Sequence, residues 1–429
     1  METLLCLSIA LLAGLMMSRL TKLVGLPAVT AYLVAGILIG PYFLGQLGIP
    51  GIGFVSHDSV MSFKIISEVA LGFIAFAIGD EFRLEQLRKI GRQAVVISIF
   101  EGVTASLFVD AALIALHFVI GPKLPLPVSI TLGAVAAATA PAATLMVVRQ
   151  YKAKGALTDI LLPVVALDDA VGLIVFAVSF GIARAMNDGT YNLVSIALEP
   201  VLEIVLSLVL GALMGVLFNW IERFFESNSR RLSISITFVM LTVALSKLSF
   251  TLGGVHISFS TLLVCMMMST VFCNICEFSG EIMEKTNKWT QPLFVLFFVL
   301  SGAELELGVF SDIAIVGIGL VYIIFRSAGK MAGAAVGSRI TKCPEEVVKY
   351  LGITLLPQAG VALGMSITAM SMPNGGELIR NIALFSVLIY ELAGPLMTKI
   401  ALTKAGNIPP KPQTPRGEAK LAKKEARRK

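Results

Sequence analysis

The stretch ALTDILLPVVALDDAVGLIVFAVSFGIA, residues 156–183, decides the fold class. It is long and apolar enough to cross a membrane as a helix, yet its middle carries two adjacent carboxylates, Asp168 and Asp169. Asp168 lies roughly 18 Å along this helix, near the centre of a hydrocarbon core about 30 Å thick. A carboxylate at that depth costs several kcal/mol unless water or an ion compensates its charge. The pair therefore indicates cation or proton transport; the alternative is a helix that ends early and leaves the pair in a loop.

The composition is that of a membrane protein along the whole chain. The 429 residues are 56% hydrophobic and only 14% charged, and the mean hydropathy is +0.86. Apolar runs recur from end to end, so we expect one transmembrane domain over residues 1–402 and no separate globular domain. The chain starts Met1-Glu2 without a positively charged region, so we expect no cleaved signal peptide.

Cysteine and histidine usage gives little support to a metal or redox centre. One CxxC, Cys273 and Cys276, stands at a predicted helix end without a second cysteine pair or a nearby histidine. The three histidines are far apart in the sequence. We therefore expect no cofactor and no enzymatic activity.

Thirteen windows of the sequence are candidate membrane spans. They lie at residues 3–20, 26–45, 62–80, 91–119, 126–149, 156–185, 193–225, 232–248, 255–274, 289–306, 312–338, 347–371 and 378–402. Lysine and arginine concentrate in alternate loops, and this bias predicts an inner (plasma) membrane protein with its N-terminus outside and its C-terminus in the cytoplasm.

The net charge of +6 belongs mostly to the loops and to a basic tail, residues 403–429. It therefore argues for membrane orientation rather than for nucleic-acid binding. We expect this tail to be cytoplasmic and disordered, and either to contact anionic lipid or to serve only orientation and solubility.

Two basic residues do not belong to the loops. Arg326 and Lys330 lie within the eleventh window and, being four residues apart, share one face of its helix. Arg326 at least is too deep for easy snorkelling. A buried cation that faces the buried Asp pair would compensate both charges; the alternative is that each group has a separate structural partner.

Helix breakers occur at mid-depth in two windows. Pro141 lies inside the polar patch 139–144 of the fifth window, and Pro357 lies in the twelfth window together with Gln358 and Gly360. Proline removes a helix hydrogen bond and frees a carbonyl four residues back. Inside a membrane such groups must face protein or a water-filled cavity. We expect the prolines to end half-helices, although a simple kink is the alternative at each position.

The positions of the two breaks match in the two halves of the chain. Counted from the second window, the break is in the fourth of five spans and the Asp pair is in the fifth; counted from the ninth window, the break is again in the fourth. The two units start on opposite membrane sides. We therefore predict an all-α polytopic membrane protein with about 13 transmembrane helices, built from two inverted five-helix repeats whose broken helices cross.

Several segments together resemble a known family. They are LPAVTAYLVAGILIGPYFLG (26–45), LGFIAFAIGDEFRLEQLRK (71–89), TAPAAT (139–144), ALDDAVGLIVFA (166–177), LFFVLSGAELEL (296–307) and FRSAGK (325–330). In this combination the chain resembles the bacterial monovalent cation:proton antiporter-2 family over nearly its whole length. The resemblance implies thirteen spans, a dimerisation domain that forms a homodimer, a mobile core domain and elevator-like alternating access.

The resemblance also implies roles for site residues. The Asp-Asp pair marks the electrogenic, sodium-type members, in which the second Asp, here Asp169, binds the cation and protons in turn. The first, here Asp168, pairs with a lysine of the eleventh span, here Lys330. The glutathione-gated potassium-efflux branch usually differs at the position of Asp168 and has a cytoplasmic nucleotide-binding domain. Arg326 adds a second candidate partner for Asp168.

Five further acids lie in or near the apolar windows. Glu101 is ten residues into the fourth window, and we favour a structural partner of Arg326 or Lys330 over an accessory proton carrier. A structural ion pair is also our expectation for Glu391. Asp110, Glu68 and Glu304 lie nearer to helix ends, where solvated or structural roles are expected.

The function predicted from these features is an antiporter that exchanges Na⁺, or Li⁺, for H⁺. Asp168 and Asp169 bind the cation with oxygens from Thr139, Ala140 and Thr144, and protonation displaces it. The partners are then the cation, the proton and membrane lipid. A potassium/proton exchanger is the second possibility in this class. A gated cation channel or an organic-anion carrier is the alternative outside it, although such a carrier does not need two acids beside a deep cation.

Overall fold

The computed structural model describes residues 2–24, 26–49, 53–80, 82–188, 193–225, 227–252, 255–305, 308, 311–370, 372 and 374–408. The part of the predicted basic tail beyond residue 408 lies outside the described residues.

The first half of the chain is a succession of helices. They are α1 (Glu2–Val24), α2 (Ala28–Ile39), α3 (His57–Met61), α4 (Lys64–Gly79), α5 (Leu84–Ile120), α6 (Leu126–Ala136), α7 (Pro141–Tyr151), α8 (Ala156–Asp188) and α9 (Leu193–Glu222). Short 3₁₀ turns follow α2 and α5, at Leu44–Leu47 and Gly121–Lys123.

The second half is also helical apart from one hairpin. Its elements are α10 (Asn228–Ser246), β1 (Phe250–Leu252), β2 (Val255–Ile257), α11 (Thr261–Ile275), α12 (Ser279–Trp289), α13 (Gln291–Glu304), α14 (Ile313–Ile340), α15 (Glu345–Thr354), α16 (Gly360–Ala369) and α17 (Gly376–Lys404). The predicted all-α class is therefore confirmed.

Nine of the described helical segments are long and apolar enough to cross a membrane. They are Thr3–Thr21, Ala28–Leu47, Gly91–Lys123, Leu126–Tyr151, Ala156–Ala183, Leu202–Glu222, Ser229–Ser246, Ile313–Ile340 and Gly376–Lys404. A helix, or a pair of half-helices, lies in each of the thirteen predicted windows. The total number of spans and the inverted repeat stay predictions.

One predicted window begins differently in the structure. Residues 255–257, which we expected at the start of a span, form β2, which pairs antiparallel with β1 and places Phe250 opposite Ile257. The helix begins only at Thr261, because Ser260 caps it by accepting a hydrogen bond from the Leu263 N–H at 3.4 Å. The segment between β2 and α11 therefore lies outside the helix.

Both predicted breaks are present, and they contact each other. Residues 137–140 separate α6 from α7, and residues 355–359 separate α15 from α16. The Ala140 N–H donates to the Pro357 carbonyl at 2.8 Å, which joins the two breaks directly. We expected Pro141 to end a half-helix, but in the structure it is the first residue of α7. The first position of a helix suits proline because its N–H would have no helical partner there.

Protein encloses the first broken helix almost completely. Of the most apolar window in Leu126–Tyr151, 94% is buried inside the structure, against 22% for Gly91–Lys123. This burial is what a break in a membrane requires, since its unpaired backbone groups cannot face lipid. The helix α5 packs against α6, α8 and α14 around the break, and α15 contacts α8 and α14.

A row of glycines on α14 sets how closely that helix approaches α5. Gly329, Gly333 and Gly337 are spaced four residues apart and face the α5 backbone. A Cβ atom at Gly333 would lie only 2.6 Å from the Glu101 Cα, and one at Gly329 only 2.7 Å from the Ala105 Cα. Small residues at this spacing allow membrane helices to pack backbone against backbone. The row therefore brings Lys330 of α14 next to Glu101 of α5.

Candidate functional site

Lys330 on α14 is the centre of a fully buried polar cluster. Its Nζ lies 3.0 Å from Asp168 Oδ2 on α8 and 2.8 Å from Glu101 Oε2 on α5, and all three side chains have no solvent exposure. The same Nζ donates to Thr139 Oγ1 at 2.8 Å and to the Ala137 carbonyl. Ala137 is the residue four positions before Pro141, so its carbonyl is the one that a proline at 141 leaves without a helical donor.

Asp169 is placed differently from its neighbour. It is 2% exposed, and neither carboxylate oxygen has a hydrogen-bond partner among the described residues. It lines a cavity of about 520 Å³, whereas Asp168 is held by Lys330. A buried carboxylate without partners is costly. Asp169 is therefore the side chain in this cluster that an added cation or proton would stabilise most directly.

Arg326 contacts the backbone of the two breaks rather than the carboxylates. Its guanidinium donates to the carbonyls of Ala136, Ala138 and Leu356 at 3.0, 2.6 and 2.8 Å. It also lies 4.4 Å from the centre of the Tyr390 ring on α17, a cation–π contact. α6 and α15 both end at this point, so Arg326 compensates the negative ends of two helix dipoles. The two basic residues thus have different roles, since Lys330 contacts Asp168 and Arg326 forms hydrogen bonds with both breaks.

The predicted ligands in the first break are bonded to the second break. Thr139 Oγ1 donates to the Leu355 carbonyl and Thr144 Oγ1 to the Thr354 carbonyl, both at 3.3 Å, and Ala140 contributes the backbone bond described above. We expected the freed carbonyls to serve the transported ion. In the structure, those of residues 136–138 instead accept from Arg326 and Lys330, because these buried cations need oxygen partners of their own.

Three polar residues beside the breaks were not among the predicted site residues. Gln358 donates to the Val135 carbonyl at 2.9 Å and to the Tyr322 hydroxyl at 3.0 Å, and it accepts from Ser386 at 3.3 Å. All three side chains are buried. The sequence carries one signal for Tyr322, which stands one helical turn before Arg326 and therefore on the same face of α14.

The remaining acids separate into paired and unpaired groups. Glu101 pairs with Lys330, as described above, and Glu68 pairs with Lys247 at 2.8 Å in a partly exposed ion pair. Our expectation of a structural ion pair for Glu391 is wrong. Glu391 is buried, its Oε2 has no hydrogen-bond partner, and the described residues place no basic group in an ion pair with it. The reason is that both deep basic groups of α14 are already engaged elsewhere.

The charges of the cluster do not cancel. Two buried groups are basic, Arg326 and Lys330, and three are acidic, Asp168, Asp169 and Glu101, which leaves one net negative charge when all five groups are ionised. A single proton or monovalent cation balances this excess. Fold and site together define a polytopic membrane carrier in which two broken helices meet beside a carboxylate that either species can neutralise.

Comparison with known proteins identifies the family. The family model of the transmembrane sodium/hydrogen exchanger matches residues 7–404. The chain therefore belongs to the sodium/hydrogen exchanger family; it is a multi-pass membrane protein that exchanges a monovalent cation for protons, and not an enzyme. The predicted antiporter-2 branch stays a prediction. No curated protein matched the chain.

Two solved structures show the same fold. One is the structure of the sodium proton antiporter MjNhaP1 from Methanocaldococcus jannaschii at pH 8, with a TM-score of 0.67 and 18% identity over 95% of this chain and 99% of that chain. The other is a 3D EM map of the same antiporter, with a TM-score of 0.70 and 18% identity over 93% of this chain and 94% of that chain.

Proposed function

We propose that this chain is an electrogenic Na⁺/H⁺ antiporter, also able to carry Li⁺, in which the cation and the proton compete for Asp169. The observation that carries the proposal is the pair of partnerless oxygens on Asp169, buried beside an Asp168 that already has its cation. Two neighbouring acids with such different surroundings are suited to two different tasks.

The cation binds when Asp169 is ionised. Carboxylate, hydroxyl and carbonyl oxygens are suitable ligands for a hard cation such as Na⁺. Asp169 supplies the first oxygens, Asp168 supplies its Oδ1, and Thr139, Ala140 and Thr144 at the first break supply the rest. Protonation of Asp169 removes its charge and releases the cation, so the two species alternate at one site.

Lys330 makes the exchange electrogenic in this proposal. Its Nζ is shared between Asp168 and Glu101, so movement of Asp168 toward a bound cation weakens one of its two ion pairs. A buried lysine can then lose its proton, whereas an arginine effectively cannot. Release of that proton in addition to the one from Asp169 exchanges two protons for one cation. Arg326 keeps its charge and holds the crossed breaks in place through the cycle.

The broader features follow the sequence resemblance. We place the chain in the monovalent cation:proton antiporter-2 branch, with an inner-membrane location, the N-terminus outside and the basic tail in the cytoplasm. We further propose a homodimer that works by elevator-like alternating access and contributes to sodium and pH homeostasis. A potassium/proton exchanger remains the second candidate, because carboxylate oxygens alone do not distinguish Na⁺ from K⁺.

The test is proton movement in proteoliposomes of the purified protein. An imposed outward gradient of Na⁺, Li⁺, K⁺ or choline is applied, and internal pH is read with a trapped dye. We expect Na⁺ and Li⁺ to drive proton movement and choline to drive none. Equal movement with K⁺ would assign the second candidate, and a current far above carrier turnover would indicate a channel. The Asp169→Asn variant is the matched control, because Asn preserves the shape of the side chain without its charge.

A further inference from the structure

A second acidic site lies on α17, outside the cluster around Lys330. Glu391 stands roughly 22 Å from the start of this helix at 1.5 Å per residue. It is 9% exposed, and its Oε2 has no hydrogen-bond partner among the described residues. A buried carboxylate of this kind is costly when it is ionised and unpaired. Nothing in the exchange at Asp169 uses Glu391, so its burial calls for a separate explanation.

The charge nearest in effect to Glu391 is that of another acid. Its carboxylate interacts with Glu304, the half-buried last residue of α13. Glu304 in turn interacts with the exposed His57 and Lys64, so its own charge is partly compensated. Two acids that interact in a low-dielectric interior cannot both ionise without a penalty. A proton on Glu391 removes this penalty, because Glu304 has basic neighbours and Glu391 does not.

The other titratable groups near α17 do not compensate Glu391. The helices α2, α6, α7, α14, α15 and α16 pack against α17. The titratable residues of these helices and of α17 itself are Tyr32, Arg149, Tyr151, Tyr322, Arg326, Lys330, Arg339, Glu345, Glu346, Lys349, Tyr350, Glu377, Arg380, Tyr390, Lys399 and Lys404. Among the described residues, none of them forms an ion pair or hydrogen bond with Glu391, and only Glu304 affects it through its charge.

The helix α2 holds the two acid-bearing helices together. A Cβ atom at Gly36 of α2 would overlap the Val299 carbonyl of α13, so these two backbones are in contact. On its other side, α2 reaches α17, where Thr30 Oγ1 donates to the Leu392 carbonyl at 3.4 Å. The contact to α17 is therefore made at the residue next to the buried acid.

α17 is weakest as a helix at the same place. Pro395 lies inside α17, four residues after Glu391, so the carbonyl of residue 391 lacks its usual helical donor. Helices bend most readily at such positions. A change of charge at Glu391 therefore acts where the fewest helical hydrogen bonds resist a movement of α17.

The same turn of α17 contacts both broken helices. The Tyr390 ring lies 4.4 Å from the guanidinium carbon of Arg326, which donates to carbonyls of both breaks. One helical turn later, a Cβ atom at Gly394 would lie 2.9 Å from the Pro357 ring in the second break. A movement of α17 at Glu391 is therefore transmitted directly to the crossing point beside Asp168 and Asp169.

We propose that Glu391, together with Glu304, forms a second proton-binding site, whose proton the transported cation does not displace and whose occupancy controls how α17 packs on the two breaks. A proton needs a single oxygen, whereas a hard metal cation coordinates several at once. When Glu391 ionises, repulsion from Glu304 and the demand of the buried charge for water push α17 away from its neighbours. This inference goes beyond the proposed exchange at Asp169 and holds whichever cation is carried.

The first experiment detects the proton itself. Infrared difference spectra of the reconstituted protein, recorded at a series of pH values, follow the C=O band of protonated carboxyl groups. Subtraction of the Glu391→Gln spectrum from that of the wild type should leave one such band at neutral pH. Saturating Na⁺ should not remove it, whereas Na⁺ should remove the band that Asp169→Asn lacks. A Glu391 band that is absent at neutral pH, or that Na⁺ removes, would overturn the proposal.

Two further variants control the spectra. Glu304→Gln removes the repelling charge, so the Glu391 band should disappear at a lower pH than in the wild type. Glu284→Gln removes an exposed acid of α12 that pairs with Lys288, and it should leave the band unchanged. If the pH at which the band disappears is the same in Glu304→Gln as in the wild type, the two acids do not form one site and the proposal fails.

The second experiment measures thermal unfolding against pH. The unfolded chain ionises residue 391 as an ordinary glutamate, so the folded state binds the extra proton and its stability falls as pH rises. The Tm of the wild type should therefore fall relative to that of Glu391→Gln by about 1–2 °C per pH unit, until the Glu391 band is lost. Tm curves that stay parallel would overturn the proposal.

The third experiment measures the effect on transport at saturating Na⁺. The maximal rates of the wild type and of Glu391→Gln should be equal while the Glu391 band is present. Above that pH the wild-type rate should fall at least twofold below that of the variant, which keeps the neutral side chain. Identical rates at every pH would overturn the control of packing. Absence of exchange in the wild type would instead refute the proposed function, and the spectra and Tm curves would still decide the second proton site.

Discussion

Replacement of Lys330 by glutamine tests the centre of the cluster. Lys330 has no solvent exposure, and its Nζ contacts Asp168, Glu101, Thr139 and the Ala137 carbonyl. Breaking a buried ion pair by removing one partner costs about 3–5 kcal/mol, because it leaves an uncompensated charge. Here two carboxylates lose their partner. At an unfolding entropy near 2.1 cal/mol/K per residue, a chain of this length loses roughly 1 °C of Tm per kcal/mol. We therefore expect Lys330→Gln to lower the Tm by about 3–5 °C.

The assay combines thermal unfolding in detergent with transport current on a solid-supported membrane. The second variant, Lys330→Gln with Glu101→Gln, removes one of the two stranded charges and should recover part of the lost Tm. Both variants should still exchange Na⁺ for protons but without net current, because the proton carried by Lys330 is gone.

The matched control is Arg326→Gln, which leaves Lys330 in place. It should destabilise the protein through lost bonds to the breaks while any remaining exchange still produces current. A Lys330→Gln variant with wild-type Tm and wild-type current would refute our assignment. Loss of current in Arg326→Gln alone would move the electrogenic role to Arg326.

Three further predictions test the competition, the helix contact and the break. The apparent KM for Na⁺ should rise as pH falls, up to about tenfold per pH unit once Asp169 is mostly protonated, because only the ionised carboxylate binds the cation. The KM is measured from dye quenching at a series of pH values. A KM that does not change with pH would contradict a shared site. Gly333→Leu should abolish transport and lower the Tm, since even a Cβ at that position lies 2.6 Å from the Glu101 Cα, whereas Gly317→Leu, where a Cβ meets no atom within 4 Å, should be tolerated. Pro141→Ala should lower stability by less than about 1 kcal/mol and change the KM for Na⁺ less than twofold, because Arg326 and Lys330 hold the carbonyls of the break; a large rise in KM would show that the proline itself maintains it.

The main architecture could be predicted from the sequence because membranes impose strong rules. Apolar length gave the helices, and the cost of a buried carboxylate singled out the Asp pair. The cost of proline within a helix located both breaks. Each of these signals is local, so one stretch of sequence is enough to recognise it.

The division of labour between the two basic residues could not be predicted in the same way. Spacing of four residues places Arg326 and Lys330 on one face, but their partners depend on the axial position of α14 relative to α5 and α6. That stagger is set by the glycine row at 329, 333 and 337, whose effect appears only when the facing helix is known.

The start of α11 was misplaced for a different reason. Residues 255–257 are apolar enough to extend a span, and strand pairing with β1 competes with the helix only through contacts elsewhere in the chain. The wrong prediction of an ion pair for Glu391 has a similar cause. The sequence does not show that Arg326 and Lys330 already have other partners.

The claim that the cation and the proton share Asp169 is tested most directly by proton release from the purified protein. Na⁺ is added to the detergent-solubilised chain in weak buffer, and the released protons are measured with a pH dye. Because the cation displaces bound protons, we predict release of about one or more protons per bound Na⁺ from the wild type. The Asp169→Asn variant should release none while it elutes as a folded species. Undiminished proton release from a folded Asp169→Asn variant would contradict the account and place the shared site on another carboxylate.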